Sequence, residues 1–326
     1  MTRLIRVELT RLWWRRLPIV AAVGLLVVVG LTLFGVDQQA GAAARALAGQ
    51  DEFFNEAVAD FEANGEENMA LCLEDQERER ELSGESDIDF GCEQMEPTVE
   101  EWFGTPPSAA ELFPQLISGL SWVLLFAAVV IGGSATAREV GQRTLGTWLT
   151  FEPRRGLVYF SKLVAVGLWT LPLTLVLMVG VVLGTIAVLQ RNGVPDGMTS
   201  GEWSDLAWIA VRLLVLAVVA GFIGAASGFV LRNVAILIGL LVGYAIAVES
   251  ILAYQVESLQ PWTVSKHVQS WLLDGTTWLT IGRCDESGCA ETERALTLAQ
   301  SSVYLGVIAL VVTLLGYLFL TRTDVD

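Results

Sequence analysis

Residues 206–254 read LAWIAVRLLVLAVVAGFIGAASGFVLRNVAILIGLLVGYAIAVESILAY, two apolar runs separated by Arg232 and Asn233. Each run has more than 20 residues, and a helix of about 20 residues crosses the ~30 Å hydrocarbon layer of a bilayer. The runs lack the alternating polarity of barrel strands, and a helix satisfies its own backbone hydrogen bonds where water is absent. The stretch therefore predicts two membrane-spanning helices joined by a short turn.

The whole chain has the composition of an integral membrane protein. Of its 326 residues, 53% are hydrophobic and only 17% are charged, whereas soluble domains carry about 25% charged residues. This composition excludes a soluble enzyme, a disordered protein and a small disulfide-rich scaffold. Six long apolar runs predict membrane-spanning helices at 17–36, 112–135, 157–189, 206–230, 234–254 and 301–320. The expected fold class is an all-α integral membrane protein with six transmembrane helices.

The positions of lysine and arginine predict the orientation of these helices. Basic residues are concentrated before the first span and between the second and third, and Arg232 and Arg322 fall on the same side of the membrane. Short basic flanks stay in the cytoplasm, so both termini are expected inside and segments 37–111 and 255–300 outside. A cleaved signal peptide is the alternative for the first span, but its apolar run is longer than the usual 7–15 residues.

The first 16 residues predict an amphipathic interface helix. Apolar residues recur at helical spacing, and charged residues are assigned to the opposite face: Ile5, Leu9, Leu12 and Trp13 against Glu8, Arg11 and Arg15. Such a helix lies on the cytoplasmic leaflet with its arginines toward anionic headgroups, which makes membrane lipid an expected partner. The alternative is a basic start that only orients insertion.

Segment 37–111 predicts a small acidic domain outside the membrane. It contains 21 acidic and three basic residues, which accounts for the formal net charge of −16 of the whole chain. Residues 40–48 and 51–63 have helical patterns, and 74–82 is a run of charges expected to form a solvated helix face, with a cation-binding surface as the alternative. The acidity argues against nucleic acid as a partner. Segment 255–300 is rich in tryptophan, which favours an interfacial anchoring loop, with a substrate gate as the alternative.

Four cysteines fall in the two segments predicted to lie outside. Cysteines in an oxidising compartment favour two disulfides, most simply Cys72 with Cys92 and Cys284 with Cys289, although three pairings are open. A zinc site is the alternative, but the chain has one histidine, His267, and no CxxC spacing. No metal site is therefore expected.

The chain lacks the motifs of an enzyme. It has no phosphate-binding loop, HExxH, GxSxG or dinucleotide fingerprint, so no catalytic residue and no cofactor are expected in this chain. Two ionisable residues, Arg212 and Glu249, fall inside predicted spans, where a charge requires a partner or water. They are expected to pair with each other or to line a translocation path, with snorkelling to the surface as a further alternative.

The segment between the second and third spans, 136–156, predicts a short helix on the cytoplasmic side. It reads REVGQRTLGTWLTFEPRR from Arg138 to Arg155 and is followed by Lys162. This pattern resembles the cytoplasmic loop of the membrane subunits of ABC type-2 (type V) exporters. The matching residues are Glu139, Gly146, Thr147, Leu149, Pro153, Arg154, Arg155 and Lys162.

The resemblance implies a permease subunit of an ATP-driven exporter in the plasma membrane of a prokaryote. It implies a dimer with a second or similar permease, and separate ATPase subunits that bind ATP and Mg. Coupling to the ATPase is assigned to Glu139, Arg143, Gly146, Thr147, Leu149 and Pro153, and shaping of the outer path to Arg212 and Glu249. The alternative is a non-transporting sensor or assembly factor that binds a protein through its acidic domain.

Overall fold

The computed structural model describes residues 2–103, 108–142, 144, 146, 150, 153–194, 197–285 and 288–322. Within these ranges, six helices are long and apolar enough to cross a membrane, as the sequence predicts. They begin or end several residues beyond most of the predicted spans. Pro172 lies inside one continuous helix.

The helices are numbered in chain order. They are α1 (Thr2–Trp13), α2 (Arg16–Leu47), α3 (Glu52–Ser83), α4 (Val99–Phe103), α5 (Ala109–Gly141), α6 (Arg155–Arg191), α7 (Ser200–Leu231), α8 (Val234–Tyr244), α9 (Val264–Leu273) and α10 (Leu298–Arg322). A π-helical segment, Ala245–Leu252, extends α8. The membrane-length helices are α2, α5, α6, α7, α8 with its extension, and α10.

The chain divides into two compact units. Unit 1 consists of Met1–Gly30, Phe113–Val182 and Met198–Asp326, and unit 2 of Leu31–Leu112 and Leu183–Gly197. Helices α2, α5 and α6 contribute residues to both units.

Close backbone contact holds α5 and α7 together in unit 1. A side chain at Gly224 would collide with the backbone of Val129, and one at Gly132 would collide with the carbonyl of Gly221. The Thr136 hydroxyl donates a hydrogen bond to the α7 backbone at a distance of 2.7 Å. Small residues thus allow two membrane helices to approach each other closely.

Local sequence signals set the ends of α7 and α8. Thr199 and Glu202 form a capping box at the start of α7. Arg232 then adopts a left-handed conformation with a φ of 56°, and Asn233 caps α8 by accepting a hydrogen bond from the N–H of Ala235 at 2.8 Å. The short turn predicted at Arg232 and Asn233 is confirmed.

The segment after α8 contains structure that the all-α expectation misses. A 3₁₀ turn, Glu257–Trp262, leads into α9, and two antiparallel strands follow, β1 (Thr276–Asp285) and β2 (Gly288–Leu296). Their register pairs Thr276 with Leu296. The first strand is rich in threonine and other β-branched or aromatic residues, which favour a pleated conformation.

Unit 2 is built around α3. Asp51 caps its start by accepting from the N–H of Phe54 at 3.0 Å, and the Phe54 ring packs against Trp102 and Phe103. The predicted helix at 51–63 and the charge run at 74–82 form this single helix. The predicted disulfide between Cys72 and Cys92 is present and ties α3 to the segment that returns beside it.

The second predicted disulfide falls in the β1–β2 hairpin. Cys284 and Cys289 are opposite each other in the strand register. The structure describes only the backbone at these two positions, so their pairing stays a prediction.

Candidate functional site

A cluster of charges joins α1, α5 and α6. Its members, here called the ion cluster, are Glu8, Arg11, Arg15, Glu139 and Lys162. Lys162 Nζ lies 2.7 Å from Glu8 Oε1 and 2.6 Å from Glu139 Oε2. Arg11 and Arg15 approach the other oxygen of Glu139 at 3.1 and 3.3 Å. Glu139 and Lys162 are only 3% and 2% exposed, so water screens their attraction weakly.

The ion cluster corrects the predicted orientation of α1. Glu8 and Leu12 are both buried, whereas Glu8 was expected to point away from the apolar face. Arg11 and Arg15 bind Glu139, and Arg15 also donates to the carbonyl of Ser134 at 2.8 Å. The expectation that these two arginines point toward headgroups is therefore wrong. Glu139 and Lys162 are expensive to bury, and α1 supplies the countercharges that stabilise them.

The ion cluster carries one more positive than negative charge. Burial lowers the pKa of the Arg15 guanidinium, and the neighbouring carboxylate of Glu139 opposes this shift. An arginine remains protonated under such conditions. The cluster therefore holds three helices together through ion pairs between side chains that carry charge.

An open pocket of about 370 Å³ with positive charge lies next to the ion cluster. Arg15, Arg138 and Arg232 line it, together with Asn233 and Val234 at the start of α8. Arg138 is exposed and forms no ion pair with any residue that the structure describes. The positive end of the α8 dipole adds to the charge of the arginines. The pocket is suited to an anionic group.

The six residues assigned to ATPase coupling are only partly described. Glu139 is buried in the ion cluster, so it does not present its carboxylate to a partner directly. Pro153 is exposed just before α6, and Gly146 has helical backbone. Arg143, Thr147 and Leu149 lie outside the described residues.

A cavity of about 480 Å³ lies among α5, α7, α8, α9 and α10. Its wall is mostly apolar and includes Trp122, Phe126, Leu216 and Leu241. Glu249, from the π-helical segment, is the only charged residue among the described residues that line it. An apolar cavity with few polar groups is the usual form of a small-molecule site, and π-helical turns are frequent at functional sites.

Neutral donors hold the Glu249 carboxylate at the N-terminal start of α9. Its Oε1 accepts hydrogen bonds from the hydroxyl of Tyr244 at 2.8 Å and from the N–H groups of Val264 and Ser265 at 2.8 and 3.3 Å. The Ser265 hydroxyl donates to Oε2. The carboxylate thus caps α9 at its N-terminus, where the helix dipole favours negative charge. It forms no ion pair with a described residue.

Arg212 does not pair with Glu249. Its guanidinium lies 3.2 Å from Asp274 Oδ2 and donates to the carbonyl of Leu272 at 3.3 Å. The indole of Trp271 donates back to the carbonyl of Arg212 at 3.1 Å. Of the two intramembrane charges, only Glu249 lines the cavity.

Comparison with known proteins adds no assignment, because no family model, no curated protein and no solved structure matches the chain. Among the described residues, no group of three or more histidine, cysteine, aspartate or glutamate side chains is placed to hold a metal ion. The ion cluster and the apolar cavity are therefore the features from which a function is inferred.

Proposed function

We propose that the chain is the permease subunit of an ATP-driven exporter in a prokaryotic plasma membrane. In this proposal it works as a dimer with a second permease, and separate ATPase subunits, which bind ATP and Mg, dock on segment 136–156. Both termini lie in the cytoplasm and the acidic segment 37–111 lies outside.

The observation that supports this proposal most is the position of the ion cluster. Glu139 lies near the end of α5, within the segment that would receive the ATPase, and Lys162 lies in the first turns of α6, six residues after that segment. Glu8 and the two arginines add α1 to the same contact. A force on the segment would therefore move three helices together, since buried ion pairs resist separation.

Helix α5 links the ion cluster to the cavity. Val129, in the cavity wall, precedes Glu139 by ten residues, or about 15 Å along the helix. Trp122, also in the wall, lies about two helical turns before Val129. A tilt of α5 at one end would thus change the shape of the cavity at the other. In this proposal α5 is the shared element, and its tilt couples the ATPase site to the cavity.

The positively charged pocket supplies a docking surface beside the same segment. Arg138 and Arg232 are exposed at its edge and would attract acidic side chains of a partner. In this assignment Glu139 positions α5 and α6, while Arg138 contacts the partner.

The test is affinity purification of the full chain from its host membrane in mild detergent, followed by mass spectrometry and an ATPase assay. A nucleotide-binding subunit in stoichiometric amount is expected with the wild type. Arg138→Glu is expected to lose it, because the substitution reverses charge at the docking surface. Arg322→Glu is the matched control, since Arg322 is exposed at the end of α10 and does not line the pocket.

Thermal unfolding of the three proteins separates docking from folding, and equal midpoints are expected. Recovery of the chain without any ATPase would contradict the proposal. Recovery of a stable complex through segment 37–111, again without an ATPase, would favour the sensor or assembly factor. Equal ATPase recovery with Arg138→Glu would place the docking surface elsewhere.

A further inference from the structure

The charge of Glu249 is the feature of the apolar cavity that no contact in the described part of the chain neutralises. Four donors bind the carboxylate, and all are neutral: the Tyr244 and Ser265 hydroxyls and the N–H groups of Val264 and Ser265. Neutral donors stabilise a carboxylate without cancelling its charge. The N-terminus of α9 contributes about half an elementary charge at most, so negative charge remains at the cavity wall.

Lys266, which adjoins Ser265 in the chain, and Arg212, the other charge inside a predicted span, have other partners. Lys266 follows Ser265 directly, but its Nζ lies 5.0 Å from the centre of the Trp278 ring. Arg212 pairs with Asp274. Neither residue lines the cavity. An ionised group inside a membrane-spanning helix is otherwise unfavourable, which suggests that a ligand supplies the missing positive charge.

The rest of the wall fits the apolar part of such a ligand. The volume of about 480 Å³ falls in the range of small-molecule sites, roughly 300–1,000 Å³. Trp122, Phe126 and Tyr244 contribute aromatic rings to the wall, and aromatic faces attract cations. Trp122 and Phe126 are also partly exposed on the surface of α5, so the cavity is open to a molecule dissolved in the membrane.

We propose that this cavity binds an apolar monocation, such as an amphiphilic amine or a quaternary ammonium compound. The charged end lies at Glu249, and the hydrocarbon part occupies the apolar wall. As the cargo class of an exporter the inference rests on the proposed function, but binding itself requires no ATPase.

The experiment measures binding of tetraphenylphosphonium, a permanent apolar cation, to the full chain in lipid nanodiscs by equilibrium dialysis. Tetraphenylborate, an anion of nearly the same shape, is measured in parallel, and empty nanodiscs give the contribution of the lipid. Saturable binding of the cation and none of the anion is expected. Glu249→Gln keeps the size of the side chain and its ability to accept from the α9 backbone, and it is expected to weaken cation binding at least about tenfold.

Two further variants make the result specific. Glu257→Gln makes the same chemical change at an exposed residue outside the cavity and is expected to bind like the wild type. Ser250→Trp adds bulk at an exposed position of the wall and is expected to abolish binding. Because this variant leaves Glu249 in place, it tests the cavity independently of whether Glu249→Gln folds.

Absence of saturable cation binding to the wild type, equal binding of the anion, or unchanged binding to Glu249→Gln would each overturn the inference. Failure of the proposed function has a different signature, because purification would then yield no ATPase while the cation still bound. Cation binding that fails while an ATPase co-purifies would leave the exporter with a different cargo.

Discussion

Glu139 and Glu249 both lie in membrane-spanning helices of unit 1, but their partners differ. Glu139 contacts three cations, Arg11, Arg15 and Lys162, whereas among the described residues Glu249 contacts only neutral donors. A carboxylate whose charge is matched inside the protein serves to hold helices together. One whose charge is left unmatched beside a cavity is available to a ligand. The same side chain can therefore have a structural or a binding role, depending on the charge of its neighbours.

The largest effect is expected from Lys162→Met, which keeps much of the side-chain volume and removes the charge shared by Glu8 and Glu139. The free energy of unfolding should fall by about 3 kcal/mol, because removing one partner leaves buried charges uncompensated. Denaturation in detergent micelles measures this change. Arg191→Met, at the other end of α6, is the control, since Arg191 is 78% exposed and should cost less than about 1 kcal/mol. Equal stability of both variants would contradict a stabilising role for the ion cluster.

A direct comparison of Glu139→Gln with Glu249→Gln should give the next largest difference. Glutamine at 139 leaves three cations facing Glu8 alone, whereas glutamine at 249 still accepts from the N–H groups of α9. We expect Glu139→Gln to destabilise the fold by about 2 kcal/mol more than Glu249→Gln. The same denaturation measurement applies to both. A larger loss for Glu249→Gln would show that its main role is to hold α9.

The membrane-spanning helices could be predicted from the sequence because hydrocarbon imposes one strong rule. A run of about 20 apolar residues must form a helix to satisfy its backbone, and the turn at Arg232 and Asn233 follows from the two polar residues between such runs. The disulfide between Cys72 and Cys92 could be predicted because the chain has only four cysteines, which allow few pairings. The hairpin at Thr276–Leu296 was missed because β-branched and aromatic residues give a weaker and more context-dependent signal than a long apolar run.

The ion cluster could not be predicted in full because its α1 members lie more than a hundred residues from Glu139 and Lys162 in the chain. One signal for it was nevertheless present in α1. Ile5, Glu8, Leu9 and Leu12 follow the i, i+3, i+4, i+7 spacing of one helix face, so Glu8 belongs beside the apolar residues rather than opposite them. A charged residue on a buried face predicts a buried countercharge. Glu249 itself lies in a π-helical segment, and its partners come from the end of α8 and the start of α9, which no periodicity indicates.

An exposed ion pair provides a smaller, third case for the comparison. Asp274 pairs with Arg212, but its side chain is 65% exposed, so water screens the attraction. Asp274 also has a positive φ of 65°, which asparagine tolerates well. Asp274→Asn is therefore expected to change the unfolding free energy by about 1 kcal/mol or less, with Asp205→Asn on the exposed face of α7 as the control. A loss of unfolding free energy as large as that of Lys162→Met would mean that solvent exposure does not explain the difference between the Asp274–Arg212 pair and the ion cluster.

The smallest expected effect is a loss of stability at acidic pH caused by protonation of His267, which lies in α9, the helix whose start binds Glu249. Burial lowers the pKa of His267 below its usual value of 6.5, and a hydrogen bond with the backbone of Pro261 opposes the shift. Its ring stacks on Tyr304, and Nδ1 lies 3.2 Å from Ser301 Oγ. Because the unfolded chain binds the proton more readily, this contribution to stability is complete above about pH 6.5 and is lost as the pH falls through the lower pKa of the folded state.

Thermal unfolding of the wild type and of His267→Asn between about pH 8 and pH 5 measures that contribution. Asparagine does not titrate, so the variant should lose less stability on acidification than the wild type does. Parallel curves would show that His267 is not the responsible group. If the acid-induced loss also weakened cation binding, and did so only while His267 was present, the order of α9 rather than the charge of Glu249 would limit access to the cavity. If binding were unchanged, the N–H groups of Val264 and Ser265 would still hold the carboxylate after His267 is protonated, which is the behaviour expected of a ligand site held by backbone donors.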